Sequence, residues 1–210
     1  MAGATIAKLG ELAEQHWGLF TTADAAAAGV ARKTLSRLAG SEAIVRVAQG
    51  VYRVAGAPEA EHEPIYSAWL ALGGADGVAD GRSVPPVVAA GTTAAIVHSL
   101  GDFFPEGVEF IVPARRTTRL GGVRLRARPL DPQDVSWVDG LSALTVEATI
   151  ADMAGQWVDP SLVVDAASQA YAEGRIVNPA RLATLLAELD RVATEEILEV
   201  AGGAPSALTS

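Results

Sequence analysis

Residues 21–54 read TTADAAAAGVARKTLSRLAGSEAIVRVAQGVYRV and contain the clearest succession of predicted elements in the chain. The opening TTAD matches the pattern that caps a helix, with a hydroxyl ahead of an acid in the first turn. The alanine run after it predicts a short helix that ends at Gly29, and residues 31–39 predict another. Upstream, residues 5–17 place apolar side chains at three- and four-residue steps, which predicts an amphipathic helix before both.

The helix predicted over residues 31–39 has two chemically different sides. Successive residues turn by about 100°, so Leu35 and Leu38 fall on one side. The opposite side carries Arg32, Lys33, Ser36 and Arg37. A helix of this kind packs its leucines inward and presents its cations to solvent or to a ligand.

Two β-rich runs, residues 44–47 and 51–54, follow this helix and are joined through Ala48-Gln49-Gly50. A glycine-containing connection of this length is typical of a β-hairpin. Three short helices followed by a hairpin are the element order of a winged helix-turn-helix, so the sequence predicts that fold for residues 1–56.

A winged helix with this layout predicts DNA binding. The third helix would enter the major groove, the start of the second would offer amides and hydroxyls to a phosphate, and the hairpin would reach the backbone or the minor groove. The predicted DNA-binding residues are Thr21, Thr22, Arg32, Lys33, Ser36, Arg37, Arg46, Gln49 and Arg53. Two other interpretations stay open: an ordinary solvated helix face, or a winged helix that contacts only proteins.

Charge is distributed unevenly along the 210 residues, whose formal net charge is −9. Residues 1–56 carry a net charge of +2 and the remainder −11. One basic stretch interrupts the acidic part, with six arginines: Arg115, Arg116, Arg119, Arg124, Arg126 and Arg128. These predict either a second contact with an anionic partner or a solvated strand whose cations neutralise neighbouring acids.

Composition excludes several function classes. The chain has no cysteine and therefore no disulfide or thiolate metal site, which suits a reducing cytoplasm. No signal peptide is recognisable, and no apolar run approaches the ~20 residues that span a bilayer, so we expect a cytoplasmic protein without a membrane partner. The three histidines are far apart and no phosphate loop or catalytic triad is present, so we predict no metal, no cofactor and no catalytic site.

The acidic remainder predicts a second, mixed α/β domain, which makes the whole chain α+β. We expect a linker at 57–64, the domain at 65–201 and a frayed tail at 202–210, with a turn-rich surface loop at 73–86. Strands are predicted at 87–90, 108–112 and 123–128, where arginine alternates with apolar residues. Helices are predicted at about 65–72, 92–100, 145–156, 160–173 and 179–190.

Several short motifs give the chain a family likeness. In the first part they are residues 17–25, 29–30, 34–38 and 50–53, and further along 91–98, 112–113 and 140–154. In this order they resemble the AbiEi-like antitoxins of bacterial abortive-infection, type IV toxin–antitoxin systems. One position departs from the family pattern, in which an arginine commonly precedes the position of Thr149. This sequence has Ala148 there, so no role of that arginine is carried over.

The resemblance implies an antitoxin that represses its own operon through its winged helix and neutralises a co-encoded nucleotidyltransferase-like toxin, without requiring a stable complex. The partners expected are therefore operator DNA of its own promoter and that toxin. Two alternatives stay open: a stand-alone transcription regulator whose second domain senses a small ligand, and an enzyme that modifies its toxin covalently.

Overall fold

The structure, a computed structural model, describes residues 2–76, 83–104, 107–156, 158–189 and 193–201. The chain divides into two compact units, each with its own β-sheet. The first comprises Met1–Asp76 and Thr118–Gly121, and the second comprises Gly77–Thr117 and Gly122–Ser210. The predicted α+β class is confirmed, with a helix-turn-helix region followed by a larger mixed part.

The first unit has the element order of a winged helix. Its elements are α1 (Ala2–Glu14), β1 (Leu19–Thr21), α2 (Thr22–Ala27), α3 (Arg32–Gly40), β2 (Ile44–Ala48), β3 (Val51–Val54) and α4 (Glu63–Ala71). The strands form an antiparallel sheet in the order β1-β3-β2. One face of this sheet packs on α1, α2 and α3 through a buried cluster that includes Leu9, Phe20, Leu35, Ile44 and Tyr52.

The other face of this sheet is covered by α4. Leu19 and Val45 both pair with Arg53 across the strands, so these three side chains share that face. The Arg53 guanidinium lies 3.1 Å from the carboxylate of Glu63 in α4. Leu19 is fully buried. The first unit is therefore a three-layer structure, with helices on both sides of the sheet.

Aromatic stacking also ties α4 to the winged helix. The ring of Trp17, just before β1, stacks on Tyr66 of α4 with centroids 3.9 Å apart and planes within 9°. The predicted boundary placed the end of the first domain at residue 56 and put this helix in the second domain. The observed unit extends to Asp76 because α4 packs on its sheet.

The second unit joins a mixed five-stranded sheet to a layer of helices. Its elements are β4 (Val88–Ala89), α5 (Gly91–Val97), β5 (Val108–Val112), β6 (Val123–Ala127), β7 (Val135–Val138), β8 (Leu141–Leu144), α6 (Val146–Ala154), α7 (Pro160–Ala172), α8 (Pro179–Ala187) and α9 (Ala193–Val200). The strand order is β6-β5-β4-β8-β7, with the β5–β6 and β4–β8 pairs parallel. Ile150 and Met153 of α6 are fully buried in the helical core, where small residues such as Ala166 let α7 approach closely.

The predicted helices of this unit are present, but their carboxyl ends come earlier than expected. Strands β7 and β8 and helix α9 were not predicted. All four residues of β8 are buried, so this strand lacks the apolar–polar alternation that marks a half-exposed strand. Residues 77–82 of the predicted loop and the predicted frayed tail, 202–210, lie outside the described residues.

His98 joins two elements of the second unit. Its Nε2 lies 2.7 Å from the carbonyl oxygen of Leu144, which connects the end of α5 to the end of β8. Burial lowers the pKa of His98, and the nearby Arg175 guanidinium acts in the same direction, while the bond to Leu144 opposes the shift. The folded protein therefore favours a neutral imidazole that donates its Nε2 proton to the carbonyl.

We expect acidification to destabilise the protein through His98. A folded-state pKa below the unfolded value near 6.5 means that stability is complete above that value and falls as pH drops through the folded pKa. Between about pH 7 and pH 5, His98→Gln should therefore lose less thermal stability than the parent, since its amide still donates but does not titrate. Thermal melts at both pH values measure this, and parallel loss in both proteins would contradict it. His16→Gln should shift the result in the same direction, because burial also lowers the pKa of His16.

Candidate nucleic-acid interface

Helix α3 presents a cationic face. Leu35 and Leu38 are 0% and 3% exposed, so they fix the inward side of the helix. The outward side holds the four predicted contact residues, all exposed: Arg32, Lys33, Ser36 and Arg37. None of the three cations forms an ion pair with an acidic residue in the described part of the chain. Ser36 donates its hydroxyl to the carbonyl of Arg32 at 3.2 Å, which leaves its oxygen as an acceptor.

The position of two of these cations, Arg32 and Lys33, opposes the preference of the helix itself. The first turn of α3 contains Arg32 and Lys33 and no acid, and no side chain caps its amino end at Ala31. The amino end of a helix carries partial positive charge, so each cation there costs about 0.3–1 kcal/mol relative to a favourable charge. An anionic ligand at this end would turn that repulsion into attraction.

Thr21 and Thr22, the predicted phosphate contacts, have hydrogen-bond partners within the fold. The Thr21 hydroxyl accepts from the Asp24 amide at 3.0 Å and donates to the Asp24 carboxylate at 2.7 Å. The amide of Thr21 donates to the same carboxylate, and both the amide and the hydroxyl of Thr22 donate to the carbonyl of Gly50. All of these donors are used in hydrogen bonds within the fold, and the Asp24 carboxylate adds negative charge beside them.

The hairpin residues divide into two groups. Arg46 and Gln49 are exposed, and Arg46 pairs with Tyr52, which places it on the sheet face that carries α3. Arg53 lies on the opposite face, where it is 17% exposed and paired with Glu63. Burial raises the pKa of the Glu63 carboxyl, and Arg53 opposes that rise. Arg53, which the sequence predicts as a DNA contact, is therefore already paired with an acid of α4.

The six arginines of the second basic stretch also divide. Arg126 and Arg128 bind the buried carboxylate of Asp152, with 3.0 Å from Arg126 Nη1 and from Arg128 Nη2 to Oδ1. Arg126 also donates to Glu109. Although burial disfavours a charged guanidinium, the bonds to Asp152 raise the pKa of Arg126. For Arg126 these bonds agree with the alternative that the sequence left open, in which the arginines neutralise neighbouring acids.

Asp152 was not predicted as the partner of these arginines. Its carboxylate also accepts from the Gly91 amide at 2.9 Å and from Gln156 at 3.1 Å, so it connects β6, α5 and α6. No local pattern links residues so distant in sequence. The only hint was the excess of arginine in one stretch of an otherwise acidic chain.

The other arginines of the stretch remain on the surface. Arg115 and Arg116 are exposed beyond β5, and Arg124 is 66% exposed while lying 3.3 Å from Glu109. Arg119 is exposed within Thr118–Gly121, the segment that groups with the first unit. Arg128 keeps part of its guanidinium in solvent despite its bond to Asp152.

Within the described ranges, no three metal-ligating side chains come together. Over the same residues, every helix is too short or too polar to cross a bilayer.

Comparison with known proteins finds a family match for the amino-terminal part of the chain. Residues 8–55 match the model of a family described as "Transcriptional regulator, AbiEi antitoxin". No curated protein matches the chain. A solved structure, the crystal structure of RV2827C protein from Mycobacterium tuberculosis, is similar over 93% of this chain and 75% of that chain, with 20% identity and a TM-score of 0.57. At that identity the likeness shows a shared fold. The resemblance to AbiEi-like antitoxins is therefore confirmed, and it rests on residues 8–55, the segment that carries α3 and the hairpin.

Proposed function

We propose that this protein is the antitoxin of a bacterial type IV toxin–antitoxin system, which represses its own operon and neutralises a co-encoded nucleotidyltransferase-like toxin. The observation that carries the DNA-binding part is the outward face of α3, where cations sit in the first turn without an acidic partner in the described chain. The antitoxin part is supported by the match of residues 8–55 to a family of antitoxin regulators.

The proposed DNA contact uses α3 for the major groove. Arg32, Lys33 and Arg37 reach base edges and phosphates from one side of a short helix, as recognition helices do. Arg46 shares the sheet face with α3, so it contacts the phosphate backbone beside the groove. Gln49, exposed in the hairpin turn, is the remaining proposed contact of the wing.

The exposed arginines outside the winged helix supply further phosphate contacts in this proposal: Arg115, Arg116, Arg119, Arg124 and the solvent-facing part of Arg128. Such contacts strengthen binding to every sequence alike and steepen its dependence on salt. The second unit supports neutralisation of the toxin. This neutralisation does not require a stable toxin–antitoxin complex.

Reversing the charge of Arg32 separates stability from DNA binding. Arg32→Glu places an acid in the first turn of α3, where it should stabilise the helix by about 0.3–1 kcal/mol. The melting temperature should therefore stay equal or rise. Affinity for a duplex spanning the protein's own promoter should fall by about 1–3 kcal/mol or more. Thermal melts and gel shifts measure the two effects.

The matched control is Lys8→Glu, which changes the net charge equally at an exposed position of α1. It should bind the duplex nearly as the parent does. Equal affinity of the Arg32 and Lys8 variants would remove α3 from the interface.

Arg46 and Arg53 provide a second matched pair. Arg46→Ala should lower the slope of log affinity against log salt by about 0.9, the value of one phosphate contact. Arg53→Ala should leave that slope unchanged but lower the melting temperature, because it strands the buried carboxylate of Glu63 without its cation. Salt titrations and melts on both variants test this. A reduced slope in the Arg53 variant would return that residue to the DNA surface.

Growth rescue tests the antitoxin part. The full chain should restore growth when co-expressed with the toxin encoded by the neighbouring gene, and residues 77–210 should restore more growth than residues 1–76, which hold the DNA-binding unit. If the neighbouring gene encodes no toxin, or the full chain gives no rescue, the stand-alone regulator is the better account. An unchanged toxin mass after co-incubation with nucleotide excludes covalent modification.

A further inference from the structure

The tip of the hairpin is held close to the body of the first unit. Ala48 pairs with Val51, so the connection between β2 and β3 consists of Gln49 and Gly50 alone. Gly50 adopts a φ of +78°, which a side chain would strain. A two-residue turn gives the wing no length beyond the ends of its own strands.

Two hydrogen bonds fix this turn to the start of α2. The carbonyl of Gly50 accepts from the amide of Thr22 at 2.8 Å and from its hydroxyl at 3.2 Å. The preceding residue, Thr21, is paired with Val51 as the last residue of β1. The tip therefore ends level with β1 and cannot project from the sheet without breaking these bonds.

The tip offers one side chain with the chemistry to read the minor groove. Proteins that read this groove use arginine, lysine, asparagine or glutamine, or an apolar wedge between base steps, and of these the tip exposes only Gln49, which the short turn keeps level with β1. Residues 48–51 read AQGV and contain no cation. The nearest cations are Arg46, which lies along β2 opposite Tyr52, and Arg53, which is bound to Glu63 on the other face.

We infer that the winged helix reads the operator from the major groove alone: α3 recognises the bases, while the wing contacts only the backbone. This inference rests on the proposed DNA binding and makes Arg32, Lys33, Ser36 and Arg37 the specificity-determining set. Guanidinium and ammonium groups recognise guanine through its O6 and N7, and both atoms lie in the major groove. Gln49 then adds affinity without discriminating between sequences.

Base analogues separate the two grooves. Full-length protein first selects its preferred duplex from a random-sequence library. In that duplex, inosine replaces guanine, which removes the minor-groove amino group and keeps the major-groove pattern. Diaminopurine in place of adenine adds a minor-groove amino group. We expect affinity within about twofold of the unmodified duplex for both. Replacing the purines with 7-deazapurines, which lack the major-groove N7 acceptor, should weaken binding by about tenfold or more.

Two variants test the same division from the protein side. Gln49→Ala should select the same sequence as the parent, whereas Arg32→Ala should select a relaxed or different one. A tenfold loss on inosine or diaminopurine, or a changed preference of the Gln49 variant, would overturn the inference while leaving the proposed function intact. A library that shows no enrichment with the parent protein would instead overturn the proposed function, and this inference with it.

Discussion

The burial of Leu35 and Leu38 is the constraint on which the proposed DNA contact depends. A helix of nine residues anchored by two leucines has one side left for solvent, and that side holds the cations. Burying a leucine stabilises a fold by about 1.5–3 kcal/mol, whereas a cation at the amino end of a helix costs about 0.3–1 kcal/mol. Packing therefore outweighs the cost of the cations in the first turn, so α3 forms in spite of them, and its apolar side sets which residues face inward.

Carboxylates decide which arginines are available to an external anion. In the first unit, Glu63 holds Arg53 on the sheet face opposite α3; in the second, Asp152 holds Arg126 and part of Arg128. Removing one member of such a buried pair leaves an uncompensated charge, so these arginines are committed to the fold. Arg32 and Arg46 face solvent with no acidic partner in the described chain. Whether an arginine stabilises the fold or is available to a ligand therefore depends on whether a carboxylate lies beside it.

The features that sequence predicted well are those that depend on neighbours along the chain. The two sides of α3 follow from helical periodicity, and the capping of α2 follows from the spacing of Thr21 and Asp24. The phosphate contact at Thr21 stays a prediction, although the Thr21 hydroxyl oxygen accepts from the Asp24 amide and its proton is donated to the Asp24 carboxylate. The pairing of Arg53 with Glu63 depends on strand register and on the packing of α4, and that of Arg126 with Asp152 depends on a sheet and a helix meeting 26 residues apart. No local pattern encodes either.

Helix α4 also determines what can be exchanged between proteins of this architecture. A recombination junction placed just after β3 would deliver a sheet with the buried Leu19 uncovered on one face and the ring of Trp17 deprived of Tyr66. Such a chimera would expose apolar surface of the sheet to solvent. Gene fusions that respect the packing must cut after α4, so the inheritable module is longer than the helix-turn-helix and hairpin that give it its name.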